Sequence, residues 1–269
     1  MKGIVLAGGT GTRLLAATKI SNKHMQLVYD RPMIYFPLQT LVDAGIEEIM
    51  IICGGEHIGQ FAEQLGDGSR FKEDMLNKYG YEKDFKIELT YKVQEKAGGI
   101  AEALGLAKRF LNHDNCVVIL GDNLFEENFA GAIKKFSSIK SGAYIFLKEI
   151  PEAQLYRSFK GMMRARFGIA EIANGKITRI IEKPTQEQSK SRLAVTGIYM
   201  YTPDVFDKIA KLKPSWRGEL EITDINQMYL DEGKLGHEIL KGFWSDAGTP
   251  ETVLRAAKFI SDMVEQTTD

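Results

Sequence analysis

The amino-acid sequence predicts an α/β fold, in which a doubly wound, Rossmann-like sheet that is mixed but mainly parallel is flanked by helices. Three observations support this prediction. Short apolar runs typical of strands alternate with amphipathic helical segments through the first half of the chain. Glycine-rich or acidic turns follow several of these runs, and a later segment has the alternation and Asn-Gly turn of an antiparallel hairpin. Such strand–helix–strand units connect by right-handed crossovers.

The first strand, Gly3 to Ala7, leads into the run Leu6-Ala7-Gly8-Gly9-Thr10-Gly11-Thr12-Arg13. Glycines let successive backbone N–H groups point at one anion, so this loop is a candidate phosphate cradle. Gly8-Gly9 alone would fit an ordinary turn, but the cations Arg13 and Lys23 just downstream favour a site for a polyphosphate. The dinucleotide-binding fingerprint requires a third glycine where this chain has Leu14, which argues against an NAD enzyme. The Walker motif requires Gly-Lys-Ser/Thr at the end of the run, and its absence argues against a P-loop NTPase.

The following elements continue the winding of the sheet. Asp30 as a cap and Pro32 in the first turn predict a helix start, and Gly45 its end. The later segments are a strand Glu48–Cys53, a helix His57–Leu65, strands Ile87–Val93 and Val117–Leu120, and a helix that opens at Gly98-Gly99. Because ligands collect at the carboxyl ends of parallel strands, we expect Gly8 to Arg13, Gln94 to Gly99 and Gly121 to Asn123 to converge on one cleft.

From about Glu149 the pattern changes. Pro151 to Arg164 is polar and irregular, which predicts a flexible loop, and Phe167–Ala173, Asn174-Gly175 and Lys176–Ile181 predict a hairpin with a type I′ turn. Helices are expected at Pro203–Lys211, Glu221–Glu232 and Pro250 to about Glu265, the last burying Val253, Ala256, Ala257 and Ile260.

Composition limits the partners of the chain. The 269 residues carry 35 Lys plus Arg against 36 Asp plus Glu, a net charge of -1, which suggests neither a nucleic-acid nor a membrane surface. No run approaches the roughly 20 apolar residues that span a bilayer, and the first residues do not resemble an export signal. Cys53 and Cys116 lie in apolar runs and fit buried free thiols. A cytoplasmic location is therefore expected.

Ordered motifs along nearly the whole chain resemble the sugar nucleotidyltransferase family, in its short form, and especially the thymidylyltransferases that act on glucose 1-phosphate. The motifs that carry the resemblance are the glycine loop with Lys23, Tyr29-Asp30-Arg31-Pro32-Met33, Tyr91-Lys92-Val93-Gln94, Gly121-Asp122-Asn123, Arg166-Phe167-Gly168, Glu182-Lys183-Pro184, Val195-Thr196-Gly197, Arg217-Gly218-Glu219-Leu220-Glu221-Ile222-Thr223-Asp224 and Trp244-Ser245-Asp246-Ala247-Gly248-Thr249. The resemblance implies one domain with a GT-A-like nucleotidyltransferase fold. Residues 1–148 would form its nucleotide-binding part, 149–249 an antiparallel sugar-phosphate part, and 250–269 a final helix and tail.

The resemblance also implies roles for individual residues. Nucleotide binding is expected at Leu6, Gly8, Gly9, Thr10, Gly11, Thr12, Gln94 and Gly99, and sugar-phosphate binding at Gly168, Glu182, Lys183, Val195, Gly197, Tyr199 and Trp244. Catalysis would involve Arg13, Lys23, Asp122, Lys183 and Asp246, with Asp122 and Asp246 together holding Mg²⁺, a cation that prefers carboxylate, phosphate and water oxygens. From the residues alone, Asp122 could equally cap a helix, and Glu182-Lys183 could be a solvated pair.

The implied reaction is Mg²⁺-dependent, in-line transfer from a nucleoside triphosphate, dTTP, to glucose 1-phosphate with release of diphosphate. The residues leave open a UTP- or CTP-using enzyme, another sugar phosphate, or a non-catalytic regulatory paralogue. Similar enzymes are usually homotetramers, which implies a symmetric homo-oligomer. Ala16, Gln26 and Leu27 replace residues usual in the family, two of them prolines, so a looser loop around Lys23 is expected.

Overall fold

The structure, a computed structural model, describes residues 1–8, 22–159 and 161–268. The strands in these ranges are β1 (Lys2–Ala7), β2 (Leu27–Val28), β3 (Arg31–Pro32), β4 (Glu48–Gly54), β5 (Glu88–Gln94), β6 (Cys116–Leu120), β7 (Leu124–Phe125), β8 (Ala143–Glu149), β9 (Tyr156–Phe159), β10 (Met162–Ala165), β11 (Gly168–Ala173), β12 (Lys176–Glu182), β13 (Leu193–Tyr201), β14 (Leu235–Ile239) and β15 (Trp244–Ser245). The helices are α1 (Tyr35–Asp43), α2 (Ile58–Leu65), α3 (Ser69–Asn77), α4 (Ile100–Gly105), α5 (Lys108–Leu111), α6 (Ala130–Phe136), α7 (Glu152–Leu155), α8 (Val205–Ile209), α9 (Ile222–Asp231) and α10 (Pro250–Thr268).

A nine-stranded sheet organises the described residues, and its first half is parallel. Strand β1 pairs in parallel with β4 on one side and with β6 on the other, and β4 pairs in parallel with β5. The resulting order is β6-β1-β4-β5: the chain adds β4 and β5 on one side of β1 and then returns to add β6 on its other side. The carboxyl ends of β1 and β6 therefore flank the crevice where such sheets bind ligands. The predicted fold class, mainly parallel and doubly wound, is confirmed.

The second half of the sheet is mostly antiparallel. Strand β13 pairs with β8 along its length, and its other edge pairs first with β11 and then with β6. The register of β13 against β8 shifts between Val195 and Tyr199, which places an irregularity in the middle of the strand. The hairpin β11–β12 turns at Asn174 and Gly175, whose φ angles are 51° and 73°. Positive φ at both positions fits the predicted type I′ turn.

The core occupies both faces of the sheet, because side chains alternate along each strand. In β1, Ile4 and Leu6 belong to a cluster with residues of α4, α8 and α9, whereas Val5 and Ala7 belong to a cluster with residues of α1, α2, α3 and α6. Strands buried on both faces need the continuous apolar runs that the sequence has. The two helix layers hold the strand ends, and with them the loops of the site, in place.

Two local predictions were wrong, and one helix was not predicted. Asp30 and Pro32 do not begin a helix: Arg31–Pro32 pairs with Leu27–Val28 in a tight hairpin, and α1 begins later without a side-chain cap. The segment predicted as a flexible loop forms α7 and the two-stranded ladder β9–β10, with Lys160 between the strands outside the described residues. Helix α3 was not predicted at all, and it buries Phe71, Asp74 and Met75.

The final helix packs against β2, β7 and α1. In α10, Ala256 is buried and Val253, Ala257 and Ile260 are partly buried, in the same cluster as residues of β2, β7 and α1. This is the face predicted from the sequence. Across the described ranges, the helices include none with the length and apolar character needed to cross a bilayer.

Candidate active site

A cavity of about 390 Å³ opens at the carboxyl ends of β1, β5 and β6 and extends across β11, β12 and β13. All of the sequence-predicted site residues that the structure describes line it: Leu6, Gly8, Lys23, Gln94, Gly99, Asp122, Gly168, Glu182, Lys183, Val195, Gly197, Tyr199, Trp244 and Asp246. The remaining predicted residues, Gly9, Thr10, Gly11, Thr12 and Arg13, lie outside the described residues. The expected convergence on one cleft is therefore found for every predicted residue that can be located.

Lys23 and Asp122 form a buried ion pair on the floor of the cavity. The Lys23 ammonium lies 2.5 Å from Asp122 Oδ2, and the two side chains are 9% and 12% exposed. Burial alone would raise the pKa of the Asp122 carboxyl, but the neighbouring ammonium and its hydrogen bond outweigh burial and lower the pKa to about 2. Asp122 is therefore a carboxylate at neutral pH, as a cation ligand has to be.

Asp246 is held near Asp122 by a short ladder. Strand β15 pairs antiparallel with β7, with Ser245 opposite Leu124. Continuing that register by one residue places Asp246 opposite Asn123, the neighbour of Asp122 in the chain. An Arg166 guanidinium nitrogen donates to Asp246 Oδ2 at 2.6 Å. Thus each aspartate has a cationic partner, and the two lie on adjacent strand ends.

The two aspartates fit a divalent cation by their chemistry. Both carboxylates line the same cavity, and hard cations such as Mg²⁺ need only one or two protein carboxylates when phosphate and water oxygens complete the shell. The described residues contain no cluster of three or more His, Cys, Asp or Glu side chains suited to a metal. A cation here would therefore depend on substrate oxygens for much of its coordination.

Gln94 and Gly99 line one part of the cavity. The Gln94 amide donates to the Glu102 carboxylate, and a Cβ at Gly8 would collide with Gln94 Oε1. Gly99 has a φ of 101°, and a Cβ there would lie 2.5 Å from the Leu220 carbonyl oxygen. Gly99 is therefore required by close packing and by its backbone conformation, whereas the contact at Gly8 involves only the end of the Gln94 side chain. The Gln94 amide, which lines the cavity, can offer both a donor and an acceptor to a polar group.

The part of the cavity lined by Glu182, Arg217 and Glu221 is rich in paired charges. Glu182 accepts a hydrogen bond from Thr223 at 2.6 Å and lies 3.3 Å from the Arg217 guanidinium, which also contacts Glu219 and Glu221. The carboxylates in this part, which also line the cavity, can accept hydrogen bonds from sugar hydroxyls.

Lys183 has an unusual backbone in this part of the cavity. Its φ is 44°, a left-handed conformation that costs a residue with a Cβ roughly 1–2 kcal/mol. The Lys183 N–H donates to the Phe167 carbonyl, and the Lys183 carbonyl accepts from Arg164, so the surroundings hold the strained turn. Burial lowers the pKa of the ammonium, against the opposing effect of Glu182. Strain retained at a cationic side chain that faces a cavity is typical of functional sites.

The structure adds residues that had no role assigned from the sequence. Asn123, Arg166, Arg217, Glu219 and Glu221 line the cavity, and all five lie in motifs that already carried the family resemblance. Position in those motifs was therefore an available signal.

His24 also lines the cavity, beneath Gly121, where a Cβ would lie 2.8 Å from the imidazole. Burial, and secondarily Lys23, lowers its pKa well below 6.5, so the ring is neutral at pH 7.

Comparison with known proteins shows similarity over almost the whole chain. Residues 2–263 match the family model described as nucleotidyl transferase. A glucose-1-phosphate thymidylyltransferase of Neisseria meningitidis is 39% identical over 264 residues, which are 97% of this chain and 82% of that protein.

Two solved structures are also similar. The first is a protein of Bacillus anthracis with sucrose bound, described as a candidate glucose-1-phosphate thymidylyltransferase. It has a TM-score of 0.82 and 44% sequence identity, and the match covers 96% of this chain and 94% of the other. A UDP-glucose pyrophosphorylase in complex with UDP-glucose has a TM-score of 0.80 at 24% identity, covering 97% and 98% of the two chains, which bears on the fold alone.

Proposed function

Because the chain belongs to the nucleotidyl transferase family, we propose that it is a glucose-1-phosphate thymidylyltransferase, which forms dTDP-glucose and diphosphate from dTTP and glucose 1-phosphate. The observation that carries the proposal is one cavity lined by Lys23, Asp122, Lys183 and Asp246. Two anionic substrates that react with each other need cations around the reacting phosphorus, and Lys23 and Lys183 line this cavity.

The proposed mechanism requires positioning and charge neutralisation rather than covalent help. A sugar phosphate is already anionic at pH 7, so its oxygen can attack the α-phosphorus in line without a general base. Lys183 orients that oxygen, and Lys23 offsets charge near the oxygen that leaves with diphosphate. Arg13 and the cradle residues Gly8 to Thr12 hold the triphosphate, a role that rests on the sequence.

Nucleotidyltransferases of this family generally use a divalent metal, and we propose Mg²⁺ held by Asp122 and Asp246. When bound, it would withdraw negative charge from the α-phosphate. In its absence the two carboxylates would repel the triphosphate, which is why Lys23 and Arg166 beside them matter for binding.

The substrates are assigned by the chemistry of the residues that line the cavity. Gln94 and Gly99 bind the pyrimidine, because a primary amide offers a donor and an acceptor to the same face of a base. Glu182, Gly168, Val195, Gly197, Tyr199 and Trp244 surround the sugar. Gly99 packs closely against Leu220 and Glu219, which leaves no room for a side chain at this position. We also propose a cytoplasmic, homotetrameric enzyme.

Turnover with purified protein tests the proposal. With Mg²⁺ and glucose 1-phosphate, release of diphosphate should be fastest with dTTP and slower with UTP and CTP, and dTDP-glucose should accumulate in equal amount. Lys183→Gln should raise the KM for glucose 1-phosphate, whereas Lys190→Gln, which alters an exposed lysine on the same segment, should not. Equal or faster use of UTP would change the proposed substrate, and no diphosphate with any triphosphate would support a non-catalytic paralogue.

A further inference from the structure

The side chain of Asn123 connects three elements of the candidate site. It is 1% exposed and directly follows Asp122 at the carboxyl end of β6. Its Oδ1 accepts hydrogen bonds from the Gly197 backbone N–H at 3.0 Å and from the Trp244 indole N–H at 2.7 Å. Its Nδ2 donates to Asp122 Oδ1 at 2.9 Å. One buried amide therefore links the end of β6, the middle of β13 and the strand β15.

The orientation of this amide is determined by its partners. A backbone N–H and an indole N–H can only donate, so the Asn123 oxygen has to face Gly197 and Trp244. The NH₂ group is then left for the carboxylate of Asp122. Since Lys23 already contacts the other oxygen of that carboxylate, both oxygens of Asp122 have fixed partners. The rotation of Asp122 about its side chain is thereby restricted.

The same side chain also bears on Asp246. Trp244 and Ser245 form β15, which pairs with β7 immediately after Asn123 and leads directly into Asp246. The indole hydrogen bond joins β15 to the residue next to Asp122, across a sequence separation of 121 residues. Gly197 keeps this arrangement close, because a Cβ there would lie 2.5 Å from Asn123 Cγ. Asn123 is thus placed to fix one aspartate relative to the strand that carries the other.

We propose that Asn123 is a positioning residue that aligns the carboxylates of Asp122 and Asp246 for one divalent cation through its hydrogen bonds to Asp122 and Trp244. The proposal rests on the proposed function for the identity of the cation ligands. Side chains that hydrogen-bond metal ligands typically change metal affinity or activity by about 10- to 100-fold when they are removed. A purely structural asparagine would affect stability without affecting the cation.

The test compares Asn123→Ala with Asn226→Ala. Asn226 is equally buried and bonds to Tyr201, but it does not line the cavity, so its loss should reduce stability without changing the site. Binding of Mn²⁺ in the presence of dTTP is measured by calorimetry, and kcat and KM are measured against Mg²⁺ concentration. Asn123→Ala should weaken Mn²⁺ binding about tenfold or more and lower kcat, and Asn226→Ala should leave both unchanged.

A third variant, Asn123→Leu, keeps about the same side-chain shape but removes every hydrogen bond of the amide without adding a charge. Because Asn226→Ala reports the effect of lost stability alone, positioning of Asp122 predicts that Asn123→Leu, like Asn123→Ala, binds Mn²⁺ about 10- to 100-fold more weakly. In a Trp216→Phe background Trp244 is the only tryptophan, and a shift of its emission maximum in the Asn123 variants reports the loss of its hydrogen bond to Asn123.

Normal Mn²⁺ binding and normal turnover in Asn123→Ala or Asn123→Leu would overturn the positioning role while leaving the proposed function intact. Absence of both cation binding and turnover in the unmodified protein would instead contradict the proposed function.

Discussion

Replacing Asp122 with asparagine should cause two effects that can be measured separately. Turnover should fall by orders of magnitude, since one preorganised charge contact at a reacting phosphate is worth about 3 kcal/mol or more. Stability should also fall, because the Lys23 ammonium, 9% exposed and 2.5 Å from the carboxylate, would lose its counter-charge. The fold itself should remain, since the asparagine side chain has the same shape and can still accept from Lys23.

The stability effect has a defined pH dependence. Asp122 has a pKa of about 2 in the folded chain against an ordinary value of 3.8, and a lowering of this size corresponds to about 2 kcal/mol in favour of the folded state. Because the folded pKa is the lower one, this contribution is complete above pH 3.8 and is lost as the pH falls toward 2. It should be roughly half as large at pH 3 as at pH 7.

Urea unfolding of the unmodified chain and of Asp122→Asn, followed by circular dichroism at several pH values, measures this difference. The gap in unfolding free energy should be about 2 kcal/mol at pH 7 and should narrow steadily below pH 4. Asp207→Asn, which removes an exposed carboxylate from α8, serves as the control and should change neither stability nor turnover measurably. A gap that stays constant or widens down to pH 3 would refute the assignment of Asp122 as a buried, ionised partner of Lys23.

Three further changes give sharp expectations. Gly99→Ala should weaken dTTP binding and destabilise the chain, because its Cβ would lie 2.5 Å from the Leu220 carbonyl oxygen at a φ of 101°. The control Gly98→Ala should have only a mild effect, because its Cβ meets only the flexible side chain of Glu102. Calorimetry with dTTP and thermal unfolding of both variants measure the difference. Lys183→Asn should lower kcat/KM for glucose 1-phosphate at least tenfold. It should not lower stability, because asparagine tolerates a φ of 44°. A variant that is both active and stable would argue against strain kept for function. Gly175→Ala, in the β11–β12 turn, should cost about 1 kcal/mol in urea unfolding and leave turnover normal.

Sequence reasoning located the site because its residues lie at places that local pattern identifies. Gly8 follows the apolar run of β1, Asp122 follows that of β6, and Gln94 ends β5. Carboxyl ends of parallel strands share an edge, so their convergence could be inferred before any coordinates. The hairpin at Asn174 and Gly175 was predicted for an equally local reason, since these two residue types tolerate positive φ.

The failures occurred where local pattern is weak or misleading. The ladder β9–β10 exposes Met162 and Met163, by 51% and 55%, so its strands lack the alternation of a half-buried sheet. Asp30 resembles a helix cap, but its carboxylate pairs with Arg31 instead, and the chain turns at Tyr29 with a φ of 61°. Propensity for a helix start was overridden by the β2–β3 hairpin.

The individual side-chain contacts that join distant segments at the site could not be predicted. The hydrogen bond from Trp244 to Asn123 and the ion pair of Arg166 with Asp246 join positions 121 and 80 residues apart. No periodicity or spacing encodes such pairs, because they depend on how β7 meets β15 after the sheet has formed. The sequence could indicate that Asp246 belongs to the site, but the ladder that holds it there had to be observed.

The central claim is that the triphosphate and the sugar phosphate meet between Asp122 and Asp246. Crystals grown with Mn²⁺ and an unreactive dTTP analogue would test it through the anomalous signal of the metal. The account predicts one Mn²⁺ in contact with a carboxylate oxygen of each aspartate and with an oxygen of the α-phosphate, in the cavity that also holds the pyrimidine beside Gln94. A metal and triphosphate bound elsewhere, or an ion that contacts neither aspartate, would contradict it.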